Sequence, residues 1–313
     1  MTMAPARDTP MTGILLAICG SLVFSINDMA IKFLSGDYPL HQVILVRALI
    51  GLAFLSGVIV VTGGHWAQLR TVRGGTHLVR AVVVIASNAT YFLALAALPL
   101  ADAVAMAFVA PVFITLLSIP MLGERVGPHR WAAVVVGLIG TAVMLRPGMG
   151  AFQPAAILVL ISAACYALSQ MLARGMRTTE SAVTLSFYVQ AGFLVSSALM
   201  GLVAGDGRFS GSADPSLEFL FRAWVWPPAA DWPAYAATGL AVAIGGLMMA
   251  QAYRTCEAAV VAPFEYSAIP MAILWGAVVF GTLPDMVGLS GMALIVSAGL
   301  YTLWRETVRA RRG

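Results

Sequence analysis

The chain is a succession of apolar runs about 20 residues long, separated by short polar breaks. The runs fall at 12–34, 41–62, 77–97, 102–121, 131–146, 155–176, 181–203, 235–255, 258–281 and 286–304. A helix rises about 1.5 Å per residue, so roughly 20 apolar residues cross the hydrocarbon core of a bilayer. The pattern predicts an all-α integral membrane protein with ten transmembrane helices. Only the run at 131–146 is short, with room to extend into Arg130 or past Pro147.

The two halves resemble each other. Residues 13–34 read GILLAICGSLVFSINDMAIKFL, and residues 155–176 read AAILVLISAACYALSQMLARGM. Laid together without a gap, Phe24 meets Tyr166, Asn27 meets Ser169, Asp28 meets Gln170, Met29 meets Met171 and Lys32 meets Arg174. A repeated membrane unit is a signature of secondary transporters. The reading divides the chain at 148/149 into two repeats of five spans, with a long loop at 204–234.

Charge orients the spans. With the N-terminus inside, the inner side holds Arg7, Arg70, Arg73, Arg80, Arg125, Arg130, Arg174, Arg177, Arg254, Arg305, Arg309, Arg311 and Arg312. The outer side holds Lys32, Arg146, Arg208 and Arg222. This bias predicts both termini in the cytoplasm. Five spans per half is odd, so the second half inserts upside down, giving an inverted-topology repeat.

Composition agrees with a membrane protein: 60% of residues are hydrophobic and 10% charged, against roughly 25% charged in ordinary globular chains. The net charge of +4 comes from scattered basic residues without a nucleic-acid motif. The run beginning at Met11 is too long for a signal h-region and lacks a small-residue cleavage site, so it is read as a retained helix. Cys19, Cys165 and Cys256 match neither a disulfide framework nor a metal site. In the long loop, GDGRFSGSADPS reads as a flexible surface stretch, and Trp224, Trp226 and Trp232 read as an interfacial anchor, with a lid as the alternative.

The stretch LPLADAVAMAFVAPVFITLLSIPMLGERVGPHRWAAVVVGLIGTAVML (98–145) and its echo EAAVVAPFEYSAIPMAILWGAVVFGTLPDMVGLSGMALIVSAGLY (257–301) carry a family resemblance. Each is a helix pair with a central proline followed by a glycine-rich helix. The chain resembles the drug/metabolite transporter superfamily, EamA type, over nearly its whole length. The second half departs from the family's Gly-Glu-x-Pro-Asp: it has Gly281, Thr282, Leu283, Pro284 and Asp285, so Asp285 must close the turn alone or leave it looser. Glu124 in the first half reads as a cap or pair at the membrane edge. SINDMAIKFL followed by an arginine in span two also occurs in members resembling S-adenosylmethionine carriers. The same family includes amino-acid exporters and riboflavin carriers.

Charged groups inside spans mark function or a buried pair. Asp28 and Arg47 each lie roughly 9 Å from the outer ends of spans one and two, and Lys32 is one turn above Asp28. Two readings stand: a structural ion pair, or an outer gate or coupling site. Gln170, Arg174 and Glu265 form the corresponding inner layer, and Glu265 is a second candidate for proton exchange. Candidate solute contacts are Phe24, Asn27, Asn88, Tyr91, Met106, Tyr166, Gln170, Gln251, Glu265 and Tyr266, with gate or coupling roles for Asp28, Lys32, Arg47, Arg174 and Glu265. Pro111 and Pro270 fall mid-span and predict helix kinks.

These features point to a secondary transporter that moves a small organic metabolite across a bacterial-type inner membrane by alternating access: an amino acid, an S-adenosylmethionine-like solute or a vitamin-like solute. A proton-coupled efflux carrier for organic cations is the alternative. No nucleotide-binding motif occurs, and His41, His65, His77 and His129 lie apart, which argues against an enzyme. The expected partners are a small-molecule solute and membrane lipid, without nucleic acid or cofactor, with proton coupling and the monomeric or oligomeric state left open.

Overall fold

The computed structural model describes residues 10–62, 66–122, 127–145, 154–176, 182–255 and 264–310, and in these it is helical with no strand. The first half holds α1 (Pro10–Leu34), α2 (Leu40–Val61), a 3-10 turn (Trp66–Leu69), α3 (Gly74–Ala97), α4 (Leu100–Ala107), α5 (Ala110–Leu122) and α6 (Pro128–Leu145). The second holds α7 (Ala155–Met176), α8 (Ala182–Ala204), α9 (Pro215–Phe221), α10 (Trp232–Thr255), α11 (Ala268–Phe280) and α12 (Met286–Ala310). Among the described residues, seven apolar segments are long enough to cross a membrane. They are Met11–Leu34, Leu40–Val61, Gly74–Ala97, Leu100–Met121, Ala155–Ala173, Val183–Ala204 and Trp232–Met249. Shorter apolar helices cover Trp131–Leu145, Ala268–Phe280 and Met286–Tyr301.

Proline punctuates the chain where helices begin. Pro39 and Pro99 precede α2 and α4, and Pro128 and Pro215 open α6 and α9. At these positions the missing N–H is one that the helix would leave unpaired in any case.

The run at 102–121 is two helices rather than one. The chain leaves α4 at Phe108 and resumes as α5 at Ala110, directly before Pro111. Around the break, Phe108 and Val109 donate to the carbonyls three residues back, Ala105 and Met106. Proline has no N–H for its own turn and clashes with the carbonyl four residues back, so the helix tightens and restarts. The second half repeats this device: Ser267 and Ile269 donate to Phe264 and Tyr266 ahead of Pro270 in the first turn of α11. The breaks meet, with the Phe108 and Tyr266 rings stacked 4.7 Å apart.

Helix pairing crosses the chain's midpoint. α1 packs most extensively on α10, α3 on α7, α2 on α8, α6 on α12 and α4 on α11. One close approach is glycine-mediated: Gly140 of α6 and Gly291 of α12 meet so tightly that a Cβ on either would lie 2.9 Å from the other's carbonyl oxygen. Without water to drive helices together, such close backbone contact is how membrane helices gain packing energy. Outward faces carry Val60, Val61, Leu78, Val82, Leu199, Leu202 and Val278, all exposed. That apolar perimeter suits lipid and would be a liability in water.

The main core lies toward the Leu34 end of α1, joining Ile31, Leu34, Leu40, Val43, Leu95, Leu98 and Leu100. Beside it the 204–234 loop carries the short helix α9 and a set of side-chain bonds to the bundle. Asp214 caps α9 by accepting from the Ser216 and Leu217 amides at 2.9 and 3.0 Å. Glu218 accepts from the Gly211 and Ser212 amides and pairs with Arg222 at 3.5 Å. The Gly211 amide, followed by its companions, holds this carboxyl below its usual range. α9 docks on α3, where Ser216 Oγ donates to the Leu93 carbonyl at 2.7 Å and Phe219 is fully buried.

The loop then fastens to the α1–α2 hairpin. Gln42 donates to the Val225 carbonyl at 2.7 Å and accepts from its amide at 3.1 Å, as a neighbouring strand would. Arg222 donates to the Ser35 carbonyl, and Tyr38 donates to Asp231. Trp224 stacks on His41 and packs against Gly201 and Gly205. Side-chain bonding of this density holds a loop that its composition marks as flexible.

The turn without a glutamate is also closed. Gly281 takes the left-handed φ of 63° at the end of α11, and Thr282 donates back to the Gly276 carbonyl at 2.8 Å. Asp285 then accepts from the Gly288 amide at 2.8 Å and caps α12. Glu124 lies outside the described residues.

Candidate solute site

One face of α3 organises the interior. Arg80, Ser87 and Tyr91 recur at offsets of seven and four, which stack on one side of a helix. Ser87 meets Ser162 of α7, donating to its carbonyl at 2.9 Å. Tyr91 reaches α1, where its hydroxyl donates to Asp28 Oδ2 at 2.8 Å. Asn27 Nδ2 donates to Asp28 Oδ1 at 3.0 Å. Asp28 is enclosed by helices yet only partly buried, so it borders open interior space.

Asp28 and Arg47 are at similar depth, but they do not form the direct ion pair that equal depth suggested. Arg47 is 2% exposed, with its guanidinium set against the rings of Phe92 (5.2 Å) and Phe193 (4.8 Å). Its Nη2 donates to Asn88 Oδ1 at 3.5 Å, a long contact, and its Nε has no partner among the described residues. Asn88 and Tyr91 are three apart on α3, so that helix stands between carboxylate and guanidinium and touches both. Lys32 turns from Asp28 as well. Its Nζ donates to the carbonyls of Leu95 (2.8 Å) and Leu98 (2.6 Å), capping the negative C-terminal end of α3, and lies over Phe280.

A second polar layer lies lower in the bundle. Gln170 Nε2 donates to the Tyr166 hydroxyl at 2.6 Å, and the charges of Glu265 and Arg80 both act on that phenol. Arg80 donates to the Leu185 carbonyl at 3.1 Å, while its Nε is buried without a partner among the described residues. Tyr166 is 44% exposed. Arg80 and Tyr91 are eleven residues apart on α3, so the two layers are separated by roughly 16 Å along the helix.

The remaining expected positions spread more widely. Phe24 packs toward Gly245 at the α1–α10 contact. Met106 is buried in the main core. Tyr266 is taken up by its stack on Phe108, with its hydroxyl against Gly299. Gln251 is exposed near the end of α10, and Pro111 and Pro270 lie at the two helix breaks. The Arg174 side chain lies outside the described residues. Two contributors were missed. Arg80 was read only as an orienting charge, although its seven-residue spacing from Ser87 places both on one face. Trp275 of α11 donates from Nε1 to Ser25 Oγ at 3.1 Å, one turn from Asp28, and no sequence spacing relates α11 to α1.

Polar side chains at two levels thus sit inside a helical bundle whose perimeter is apolar. Residues 11–146 match the EamA-like transporter family. The chain is 26% identical over 312 residues to the riboflavin transporter of Rhizobium johnstonii, covering 100% of this chain and 97% of that protein. It is 23% identical over 304 residues to the S-adenosylmethionine uptake transporter of Rickettsia prowazekii, covering 97% and 96%. The pseudopaline exporter CntI of Pseudomonas aeruginosa is 25% identical over 291 residues, covering 92% and 94%. A solved crystal structure shares the fold, with a TM-score of 0.63 at 22% identity, covering 96% of this chain and 98% of the other.

Proposed function

We propose that the chain is a ten-span secondary carrier of two inverted five-span repeats, moving a small organic metabolite by alternating access. The observation that carries this reading is the partial exposure of Asp28, held by Tyr91 and Asn27 inside a bundle whose perimeter is apolar. A secondary carrier is built with its site between its repeats. The seven long and three shorter apolar helices, taken in order, support ten spans. The pairing supports the repeat: exchanging the first five spans with the last five turns α1–α10 into α7–α3 and maps α2–α8, α4–α11 and α6–α12 onto themselves. The paired proline breaks support it too.

The two polar layers are the proposed gates. Asp28, Tyr91, Asn88 and Arg47 build one, and Tyr166, Gln170, Glu265 and Arg80 build the other, with Arg174 assigned to the second by its place in the repeat. The arginine bias supports cytoplasmic termini in a bacterial-type inner membrane. The relatives' names point to riboflavin-like and S-adenosylmethionine-like solutes as first candidates.

The test is uptake into proteoliposomes of labelled S-adenosylmethionine, riboflavin and neutral and aromatic amino acids, with and without a pH gradient. Saturable uptake of one compound is the expected result. Uptake that follows the gradient assigns proton coupling, and uptake indifferent to it assigns facilitated exchange. Absence of saturable uptake for every compound, with drug cations extruded instead, replaces this reading with the efflux carrier.

A further inference from the structure

We propose that Asp28 is the subsite for a positively charged centre on the solute, an ammonium or sulfonium, received between the aromatic rings of Tyr91 and Trp275. This rests on the carrier reading above and names the substrate class of its site.

The carboxylate's direct partners are neutral. It accepts from the Tyr91 hydroxyl at 2.8 Å and from Asn27 Nδ2 at 3.0 Å, and no described lysine or arginine is ion-paired with it. Such donors orient a carboxylate and leave its charge to be met by something else. The two nearest cations are committed elsewhere. Lys32 is held on the Leu95 and Leu98 carbonyls, and Arg47 is wedged between Phe92 and Phe193 behind Asn88. Arg47 is 2% exposed, so a solute in the interior space does not reach it, whereas Asp28 keeps an open side. Arg47 acts on Asp28 through space instead, which lowers the cost of a charge in this low-dielectric interior without occupying the carboxylate. The arginine is therefore a positioning residue, and the aspartate is the contact.

The surroundings suit an organic cation rather than a hydrated metal ion. Tyr91 holds its ring beside the carboxylate through the 2.8 Å bond. Trp275 is anchored by its indole N–H to Ser25, three residues before Asp28 and on the same helix face. An aromatic face attracts a weakly hydrated cation, most strongly where water is excluded. Asn27 Oδ1 is buried without a donor among the described residues.

The experiment compares S-adenosylmethionine with S-adenosylhomocysteine, which lacks one methyl group and with it the sulfonium charge. Binding of both to the purified full chain in nanodiscs is measured by equilibrium titration. Riboflavin serves as an uncharged third probe. The expected result is that S-adenosylmethionine binds about 30-fold or more tighter than S-adenosylhomocysteine, since loss of one partner from a buried charge pair is worth at least about 2 kcal/mol. Asp28→Asn removes that preference, Asp28→Glu retains part of it, and Tyr91→Phe weakens it with the protein still folded by thermal melt. Equal binding of the two adenosyl compounds, a preference unchanged in Asp28→Asn, or riboflavin binding without S-adenosylmethionine binding overturns the proposal. Each of these outcomes leaves the carrier reading standing, because transport is scored separately by uptake.

Discussion

The α6–α12 crossing offers a direct test of the packing argument. A Cβ added at Gly140 would lie 2.9 Å from the Gly291 carbonyl oxygen, 2.9 Å from Leu294 Cβ and 3.0 Å from Ile295 Cγ1. Ordinary contact begins near 3.4 Å, so the helices must separate by about 0.5 Å, because a backbone carbonyl inside a helix has nowhere to turn. A gap of that size forfeits about a quarter of each dispersion contact along the crossing. Overpacking of this kind costs about 1–3 kcal/mol. Gly246→Ala is the matched control, since a Cβ there meets nothing within 4 Å. Both substitutions change intrinsic helix propensity alike, so the difference between them isolates the crossing. Reversible unfolding in mixed micelles should show Gly140→Ala less stable than Gly246→Ala by about 1–3 kcal/mol. Gly140→Ala combined with Gly291→Ala should cost less than the sum of the two, because one separation relieves both clashes. Equal stability of Gly140→Ala and Gly246→Ala would refute the close crossing.

The folded loop yields three further tests. Gln42→Ala strips both bonds from Val225 and should cost about 1–3 kcal/mol locally, seen as faster hydrogen exchange at the Val225 amide with α2 otherwise unchanged. Asp214→Ala should loosen α9 by about 1 kcal/mol, read as exchange across residues 215–221, and equal protection would show that docking on α3 suffices without the cap. Tyr38 is pushed up to about 12, first by burial and then by its bond to Asp231. Folding thus favours the protonated phenol: this contribution is full below pH about 10 and is lost as pH rises toward 12. A phenolate absorbance titration of wild type minus Tyr38→Phe should show one tyrosine titrating late, and a midpoint near pH 10 would contradict the contact.

Hydrophobic spacing made the helices legible because each span's burial in lipid is a local property of its own residues. Proline placement foretold the two breaks for the same reason: the missing N–H acts within one turn. Depth was also readable, which put Asp28 and Arg47 at one level. Azimuth was not, and it decided their relation. Tertiary packing turned Arg47 between Phe92 and Phe193, turned Lys32 onto the end of α3, and left Asp28 with neutral partners. Trp275 joins the site through an α11–α1 contact that no spacing along the chain reveals. The 204–234 loop shows the same division. Its glycines and serines allow flexibility, but Gln42, Tyr38, Ser35 and Leu93, all distant in sequence, supply the bonds that fold it. Sequence alone thus determined which segments form long apolar helices, since that follows from residue type and order. The tertiary structure alone decided which buried charges meet, because helix rotation is set by packing across the whole bundle.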